Sequence, residues 1–394
     1  MLKILIVHEY YQQQGGEDTV LAAEKALLQK NGHEIIEFTE NNHRIKEINP
    51  ISLASQTIWS RPSFQRISEL LIKEKPDLVH FHNTFPLISP SAFYACRKNN
   101  IPVVQSLDNP RLICPAATFY RNGRLCLDCL GKTPPLPGII HGCYHNSRLQ
   151  TTVVAAMLTI HRWLKTWQDQ VDAYLVATEF YRNIFIEAGL PSRKIYVKPH
   201  FIQNDPSQEF IKKKGEYVLF IGRLDPEKGV RILLEAWKKM KIPLIIRGDG
   251  KLDHESREFI KNENIDSINM VERLSKEELD LLEINARFLI WPSQGYYETF
   301  GMVAIECFAH GIPVVASNIG VMREIVTNNE TGLLFDPGDP DDLASKVEWL
   351  WHHPDESKRM GLNARKEFEE KYTAERNFQM LIDIYSSLLS KKNE

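Results

Sequence analysis

Residues 291–306 decide the fold, and they read WPSQGYYETFGMVAIE. The stretch follows an apolar run that is typical of a buried strand, and it then passes into a helical pattern. Gly301 stands at the turn, where a glycine lets the backbone come close to a ligand. The amides of Met302 and Val303 would then lie at a helix N-terminus, which favours phosphate. The stretch therefore predicts a strand, a turn and a helix arranged to bind an anion.

Two carboxylates frame this turn. Glu298 precedes Gly301 and Glu306 follows it, with seven residues between the two glutamates. A carboxylate placed like Glu306 can accept hydrogen bonds from both hydroxyls of a ribose. Glu298 lies at the mouth of the turn, where it can reach a sugar attached to the phosphate. The alternative is that both are solvated charges on a helix.

The rest of the chain alternates short apolar runs with longer helical stretches, and this alternation starts twice. The predicted strands are 3–7, 34–38, 78–81, 103–107, 173–177 and 195–198, followed by 217–221, 244–247, 268–271, 288–291 and 314–316. Several are continuously apolar, as expected for parallel strands buried on both faces. We therefore predict an α/β fold of two Rossmann-like, doubly wound parallel sheets. Ligands of such sheets bind at the carboxyl ends of the strands, in the cleft between two facing domains.

Composition excludes several classes of protein. The chain has 394 residues, 43% of them hydrophobic, and 48 basic residues stand against 51 acidic ones, for a net charge of −3. This balance gives no reason to expect nucleic acid as a partner. The longest late apolar run, 153–160, is too short to span a bilayer. We expect a cytoplasmic protein, and peripheral contact with the inner face of a membrane stays open, with 151–167 as the candidate helix.

Four of the six cysteines form a cluster of their own, namely Cys114, Cys126, Cys129 and Cys143. The pair in Cys126-Leu127-Asp128-Cys129 has the spacing of a zinc knuckle. The surrounding loop, rich in Gly and Pro, has little core of its own and would gain stability from a metal. These residues predict a structural zinc site. Two disulfides or four reduced, metal-free cysteines are the alternatives.

Together these segments resemble the family-4 retaining glycosyltransferases of the GT-B fold. Residues 298–306 are similar to that family's Glu-x7-Glu motif. Three further pieces match in order: Gly15-Gly16 after the first strand, Gly222-Arg223-Leu224 with Lys228-Gly229, and the Gly332-Leu333-Leu334 turn. The cysteine insertion, 111–147, resembles one in bacterial relatives that act on surface polysaccharides.

The resemblance implies a metal-independent enzyme that moves a sugar from a UDP- or GDP-sugar to a saccharide or lipid-linked saccharide acceptor. It implies an acceptor-binding domain at 1–200, a donor-binding domain at 201–372, and a final helix, 373–394, that packs back on the first domain. The donor-binding residues carried over from the family are Gly15, Gly16, Gly222, Arg223, Lys228, Arg273, Leu274, Glu298, Phe300, Gly301, Met302, Val303 and Glu306. No catalytic cofactor is implied.

Catalytic roles follow from charge. As the glycosidic bond breaks, the departing diphosphate gathers negative charge, and Arg223 and Lys228 can stabilise it without a metal. The family's reaction retains the anomeric configuration through a front-face, oxocarbenium-like step. His82 follows a strand end, where family members place a histidine near the reacting sugar. Asp108 stands where many relatives carry His, and it is a candidate base or hydroxyl ligand.

Each of these residues also has an interpretation without a role in catalysis or binding. Arg223 and Lys228 are surface cations in that view, and Gly15-Gly16 is an ordinary turn. His82 is then a core histidine and Asp108 a helix cap. Two alternative functions also stay open, a phosphorylase or epimerase of the same fold and a non-catalytic sugar-nucleotide-binding protein.

Overall fold

The computed structural model describes residues 1–12, 15–203, 205, 215–272, 274–296 and 298–392. Its contacts divide the chain into two compact units. Unit 1 comprises Met1–Phe119, Leu127–Pro199 and Asn377–Glu394, and unit 2 comprises Tyr120–Cys126 and His200–Arg376. In the part of the chain so described, no helix combines the length and apolar character needed to cross a membrane.

Unit 1 contains a six-stranded sheet in which every pairing is parallel. In spatial order its strands are β2 (Glu34–Asn41), β1 (Lys3–Tyr10), β3 (Leu78–Phe81), β4 (Val103–Ser106), β7 (Ala173–Val176) and β8 (Ile195–Val197). Its helices are α1 (Gly16–Lys30), α2 (Pro50–Ile58), α3 (Arg61–Glu74), α4 (Ser91–Lys98), α5 (Leu136–His141), α6 (Arg148–Trp163), α7 (Thr166–Asp169) and α8 (Glu179–Glu187).

Unit 2 repeats the plan with a second six-stranded parallel sheet. In spatial order its strands are β11 (Ile268–Val271), β10 (Leu244–Arg247), β9 (Tyr217–Ile221), β12 (Ala286–Trp291), β13 (Val314–Ser317) and β14 (Gly332–Phe335). Its helices are α9 (Val230–Trp237), α10 (Asp253–Asn262), α11 (Lys276–Ile284), α12 (Met302–Ala309), α13 (Gly320–Ile325), α14 (Pro340–His352) and α15 (Pro354–Lys371). A short antiparallel hairpin, β5 (Tyr120–Arg121) and β6 (Arg124–Leu125), also belongs to this unit.

The last helix, α16 (Ala374–Lys392), supplies core residues to unit 1. Leu381 and Tyr385 are fully buried in a cluster with Ile4 and Ile6 of β1. Burial of such side chains contributes roughly 1.5–3 kcal/mol each. Unit 1 is therefore built from both ends of the chain.

Helix α1 shows how sequence sets packing in unit 1. Its buried residues are Val20, Leu21, Glu24, Leu27 and Leu28 among others, a spacing of three and four that forms one helical face. Four of these are apolar and belong in a core. Glu24 is the exception, and its burial requires charged or polar partners.

Candidate functional site

Three loops meet at the carboxyl edge of the sheet in unit 2. The amide of Gly222, after β9, donates to the carbonyl of Arg247 over 3.1 Å. A Cβ added to Gly248, after β10, would lie 1.8 Å from the carbonyl oxygen of Gly222. Since no side chain fits there, these two loops touch through their backbones. This is the edge at which ligands of parallel sheets bind.

The loop after β9 also reaches the end of β12. Gly229 has a φ of +77°, and a Cβ on it would lie 1.9 Å from the carbonyl oxygen of Pro292. The amide of Gln294 donates to the carbonyl of Glu227 over 2.8 Å. Lys228 lies between Glu227 and Gly229, so these contacts bring it next to residues 291–306.

Lys228 and Glu298 form an ion pair there. The Lys228 ammonium donates to Glu298 Oε1, which also accepts from Ser293 Oγ at 2.9 Å and from Trp291 Nε1 at 3.4 Å. Burial raises the pKa of the Glu298 carboxyl, but the Lys228 charge and these hydrogen bonds outweigh it and hold the pKa below its usual value. Glu298 is therefore an ionised carboxylate with a cation beside it.

Arg223 lies on the same loop with its guanidinium half exposed. Its side chain is 52% accessible and pairs with Asp225 at 3.1 Å and with Glu227 at 3.7 Å. The Arg223 guanidinium therefore lies at the surface of the loop beside two acidic side chains. The structure thus places Arg223, Lys228 and Glu298 in one unit and within two contacting loops.

Helix α12 begins at Met302, directly after Gly301. Gly301 has a φ of +102°, and a Cβ on it would lie 2.0 Å from the Trp291 ring. Phe300 is buried, and its ring packs edge-on to His200 with centroids 5.1 Å apart. Val303 and Glu306 are partly exposed along the helix. The turn, helix start and following carboxylate are arranged in the order that the sequence predicts.

The remaining predicted donor-binding residues are spread more widely. Leu274 follows β11 and is partly buried, and Arg273 lies outside the described residues. Gly15 and Gly16 belong to unit 1, at the start of α1. The Gly15 amide donates to Asp18 Oδ2 over 2.9 Å, and a Cβ on either glycine would meet nothing within 4 Å. The Gly15 amide is therefore already hydrogen-bonded within the first turn of α1.

Unit 1 has a pocket of about 520 Å³, counting the open space at its mouth. Glu17, His82, Asp108 and Arg111 line it together with apolar side chains. His82 is 4% exposed, with Nδ1 3.9 Å from Asp108 Oδ2. The pocket therefore joins the two acceptor-side residues that the sequence singled out, and it adds a second carboxyl, Glu17.

A buried polar network supports His82 from behind. Glu24 Oε1 lies 3.6 Å from His82 Nε2 and 3.1 Å from His80 Nδ1, and Glu24 Oε2 accepts from the Lys198 ammonium at 2.8 Å. The Tyr385 hydroxyl contacts His80 Nδ1 at 2.7 Å. Sequence reasoning did not identify Glu24, His80, Lys198 or Tyr385. The one available signal was a glutamate on the apolar face of α1.

This network shifts the pKa values of two neighbouring histidines in opposite directions. Burial by itself would lower the pKa of His82, but Asp108 and Glu24 outweigh it and raise the pKa to about 9. Burial and the charge on His82 lower the pKa of His80 to about 4. Burial and Asp108 raise the pKa of Glu17 to about 8. The pocket therefore holds a charged His82 at neutral pH and a Glu17 carboxyl that keeps its proton to higher pH than usual.

Replacing Asp108 with Asn should move the titration of His82. The variant removes a charge that holds the imidazolium, so we expect its pKa to fall from about 9 towards neutrality. Imidazole NMR signals against pH measure this directly. Because the folded pKa is raised, the stability that His82 contributes is full below about pH 6.5 and is lost as pH rises through about 9. An unchanged titration in the variant would contradict this pairing.

Two groups of side chains in the described ranges have the geometry to hold a metal ion, with ligand atoms within 4.8 Å of one another. They are Glu24 with His80 and His82, and Asp280 with Glu283 and His310. In the first group the Lys198 ammonium already balances Glu24, which disfavours a further cation.

The four clustered cysteines are not among these groups, although all six cysteines of the chain are described. Three of their segments meet at Gly138. A Cβ on Gly138 would lie 3.4 Å from Cys129 Sγ and 3.0 Å from Pro115, next to Cys114, and its carbonyl accepts from the Cys143 amide at 3.0 Å. No two of the six are joined by a disulfide. Four thiolates are a donor set that suits a structural zinc.

Several known proteins resemble this chain in sequence. Residues 201–367 match the family model described as glycosyl transferases group 1. An uncharacterized glycosyltransferase of Methanocaldococcus jannaschii is 34% identical over 219 residues, which are 55% of this chain and 60% of that protein. The O-antigen chain mannosyltransferase C of Escherichia coli is 28% identical over 359 residues, covering 89% of this chain and 86% of that protein.

A solved structure extends the likeness to the whole fold. The crystal structure of Anabaena HepE in complex with UDP aligns with a TM-score of 0.69 at 17% identity, covering 98% of this chain and 100% of that one. At 17% identity this match shows a shared fold and nothing about function. The match includes the sheets of both units.

Proposed function

We propose that the chain is a retaining, metal-independent glycosyltransferase, because residues 201–367 match the model of the glycosyl transferases group 1 and the chain has the two-sheet GT-B fold. The donor we propose is a UDP- or GDP-sugar, and the acceptor is a saccharide, either free or linked to a lipid. The similarity to an O-antigen mannosyltransferase supports a place in bacterial polysaccharide assembly. A lipid-linked acceptor would bring this cytoplasmic enzyme to the inner face of the membrane.

The observation that carries the proposal is the Lys228–Glu298 ion pair at the strand ends of unit 2. It sets a cation and an ionised carboxylate beside the start of α12, whose amides favour phosphate. We assign the donor diphosphate to Arg223, Lys228 and the amides of Met302 and Val303. Glu306, further along α12, is assigned to the ribose. The complexed UDP of the similar HepE structure supports a nucleotide ligand.

The reaction then depends on charge stabilisation. The departing diphosphate becomes more negative as its bond to the sugar breaks, and Arg223 and Lys228 are attracted to it more strongly at that point. When phosphate engages Lys228, its hold on Glu298 weakens, and the carboxylate becomes available to the sugar. A diphosphate oxygen accepts the proton of the attacking hydroxyl, which comes in on the face that the leaving group vacates.

For the acceptor we propose the pocket of unit 1. His82 lies between Glu24 and Asp108 and positions Asp108, which accepts from a sugar hydroxyl. Glu17, whose pKa is raised by burial and by Asp108, offers a donor when it carries its proton. A pocket with both donors and acceptors suits a polyhydroxylated ligand.

A transfer assay tests this function. The purified chain, with EDTA present, is incubated with UDP- and GDP-sugars and oligosaccharide acceptors, and the product is analysed by NMR. We expect one donor to be consumed and the product to keep the donor's anomeric configuration. Transfer with inverted configuration, or transfer that requires a divalent metal, would contradict the proposal.

We also propose a structural zinc held by Cys114, Cys126, Cys129 and Cys143. The convergence of three of these segments at Gly138 supports it. The purified protein should contain about one zinc per chain, and Cys126→Ser should lose most of it and melt at a lower temperature. Cys96→Ala, which removes a buried thiol elsewhere, is the matched control. Zinc that persists in Cys126→Ser, or that is absent from wild type, would rule the site out.

A further inference from the structure

One part of unit 1 has an unusual charge. Residues 129–168 contain no Asp or Glu, although 51 acidic residues among 394 would place about five in a segment of that length. The same segment contains Lys132, Arg148, Arg162 and Lys165. It includes helices α5 and α6, so the charged side chains of these two helices are all cations, and Asp128 and Asp169 lie just beyond the two ends of the segment.

The same two helices expose large apolar side chains. Helix α6 carries a stripe at Leu149, Val153, Ala156, Ile160 and Trp163, a helical spacing of three and four. Each of the five is at least partly exposed. Leu149 is 78% and Trp163 71% accessible. The stripe faces away from the core.

Helix α5 exposes two more large apolar side chains. Leu136 and Ile140, four residues apart, are 54% and 60% exposed. The Arg148 Nε donates to the carbonyl of Ile140 over 3.0 Å, which joins this helix to the start of α6. We call Leu136, Ile140, Leu149, Trp163 and Leu164 the apolar patch. They are five of the eleven large hydrophobic side chains exposed in the described part of the chain.

Cations stand at both ends of the apolar patch. Arg148 lies beside Ile140 and Leu149. At the other end, Arg162 donates to the carbonyl of Lys132, which brings Lys132 to the end of α6 near Trp163 and Lys165. Lys132, Arg148 and Lys165 are all exposed. An apolar stripe with an indole ring and flanking cations matches the chemistry of an anionic bilayer surface.

We propose that the apolar patch docks unit 1 on an anionic membrane surface. The apolar side chains enter the boundary between headgroups and acyl chains, and Lys132, Arg148 and Lys165 contact lipid phosphates. A second copy of this chain suits the patch less well, because it would bring two sets of like charges together. The inference rests on the proposed function, because an enzyme with a lipid-linked acceptor has to work at a membrane. It goes further by naming the protein surface that binds the membrane and the charge of the lipids that it prefers.

Vesicle sedimentation tests the docking. We expect the full chain to bind vesicles of phosphatidylcholine with phosphatidylglycerol, to bind phosphatidylcholine alone much more weakly, and to dissociate as salt rises. Leu149→Gln with Trp163→Gln should weaken binding about tenfold or more. Leu281→Gln with Trp349→Gln, which changes an exposed leucine and tryptophan of unit 2, should leave it unchanged.

Transfer to a water-soluble acceptor separates the two proposals. If docking is correct, Leu149→Gln with Trp163→Gln keeps wild-type transfer to that acceptor while it loses the vesicles. Equal binding of neutral and anionic vesicles, equal effects of the two double variants, or a dimer that the Leu149 and Trp163 changes dissociate would overturn the docking. If the wild-type chain binds vesicles but transfers no sugar, the docking proposal stands and the proposed enzymatic function is wrong.

Discussion

Lys228→Ala is expected to lower kcat for sugar transfer about 100- to 1,000-fold, because one preorganised cation at a developing negative charge contributes on that scale. The donor KM should change less, since Arg223 and the α12 amides still bind the diphosphate. Lys228→Arg keeps the charge and should retain more activity than the alanine variant. Initial rates at saturating donor measure the difference.

Two variants control for folding in that experiment. Lys228→Ala leaves the Glu298 carboxylate, 13% exposed, without its cation, so some loss of stability is expected as well. The double variant Lys228→Ala with Glu298→Gln removes the stranded charge and should melt nearer to wild type while it remains inactive. Lys238→Ala, at an exposed site on the same unit, should behave as wild type. If the double variant regained transfer, the role assigned to Lys228 would be wrong.

Lys198→Met should have the largest effect on stability. The Lys198 ammonium is the cation beside the fully buried Glu24, and removing one partner of such a pair costs about 3–5 kcal/mol. Burial raises the pKa of Glu24, but Lys198 and His80 hold it well below its usual value, so the carboxylate stays charged in the core. Hydrogen exchange of β1 and β3 amides in increasing urea measures the loss in unit 1.

The double variant Lys198→Met with Glu24→Gln should recover much of that loss, because no unpaired charge then remains. Lys194→Met offers a comparison, since that ammonium donates to two backbone carbonyls, those of Gln168 and Val171, rather than to a buried carboxylate of the described chain. Additive losses in the Lys198 and Glu24 variants would show that the two side chains do not interact.

Sequence predicted the fold well because its signals are local. Mostly apolar runs of three to five residues predicted eleven of the twelve parallel strands, and the confirmed GT-B fold follows from seeing that pattern start twice. The twelfth strand, β14, lies on the Gly332-Leu333-Leu334 segment, which the sequence analysis described as a turn. The turn at Gly301 and the start of α12 are equally local, since a left-handed glycine must precede that helix.

The partners of the site residues could not be predicted in the same way. Lys228 and Glu298 are 70 residues apart, Glu24 and Lys198 are 174 apart, and His80 and Tyr385 are 305 apart. Only the tertiary fold brings such pairs together. The raised pKa of His82 likewise depends on Asp108 and Glu24, which lie on other elements of the fold, so the sequence identified the histidine but not its charge.

Titration calorimetry of nucleoside diphosphates in EDTA tests the donor site proposed for unit 2. We expect UDP or GDP to bind the wild-type chain without a divalent metal, and we expect Arg223→Ala and Glu306→Ala each to weaken this binding strongly. Asp108→Asn, in the pocket of unit 1, should leave nucleotide binding unchanged. Binding that needs a metal, or that survives both unit 2 substitutions, would show that the donor site is not where we place it.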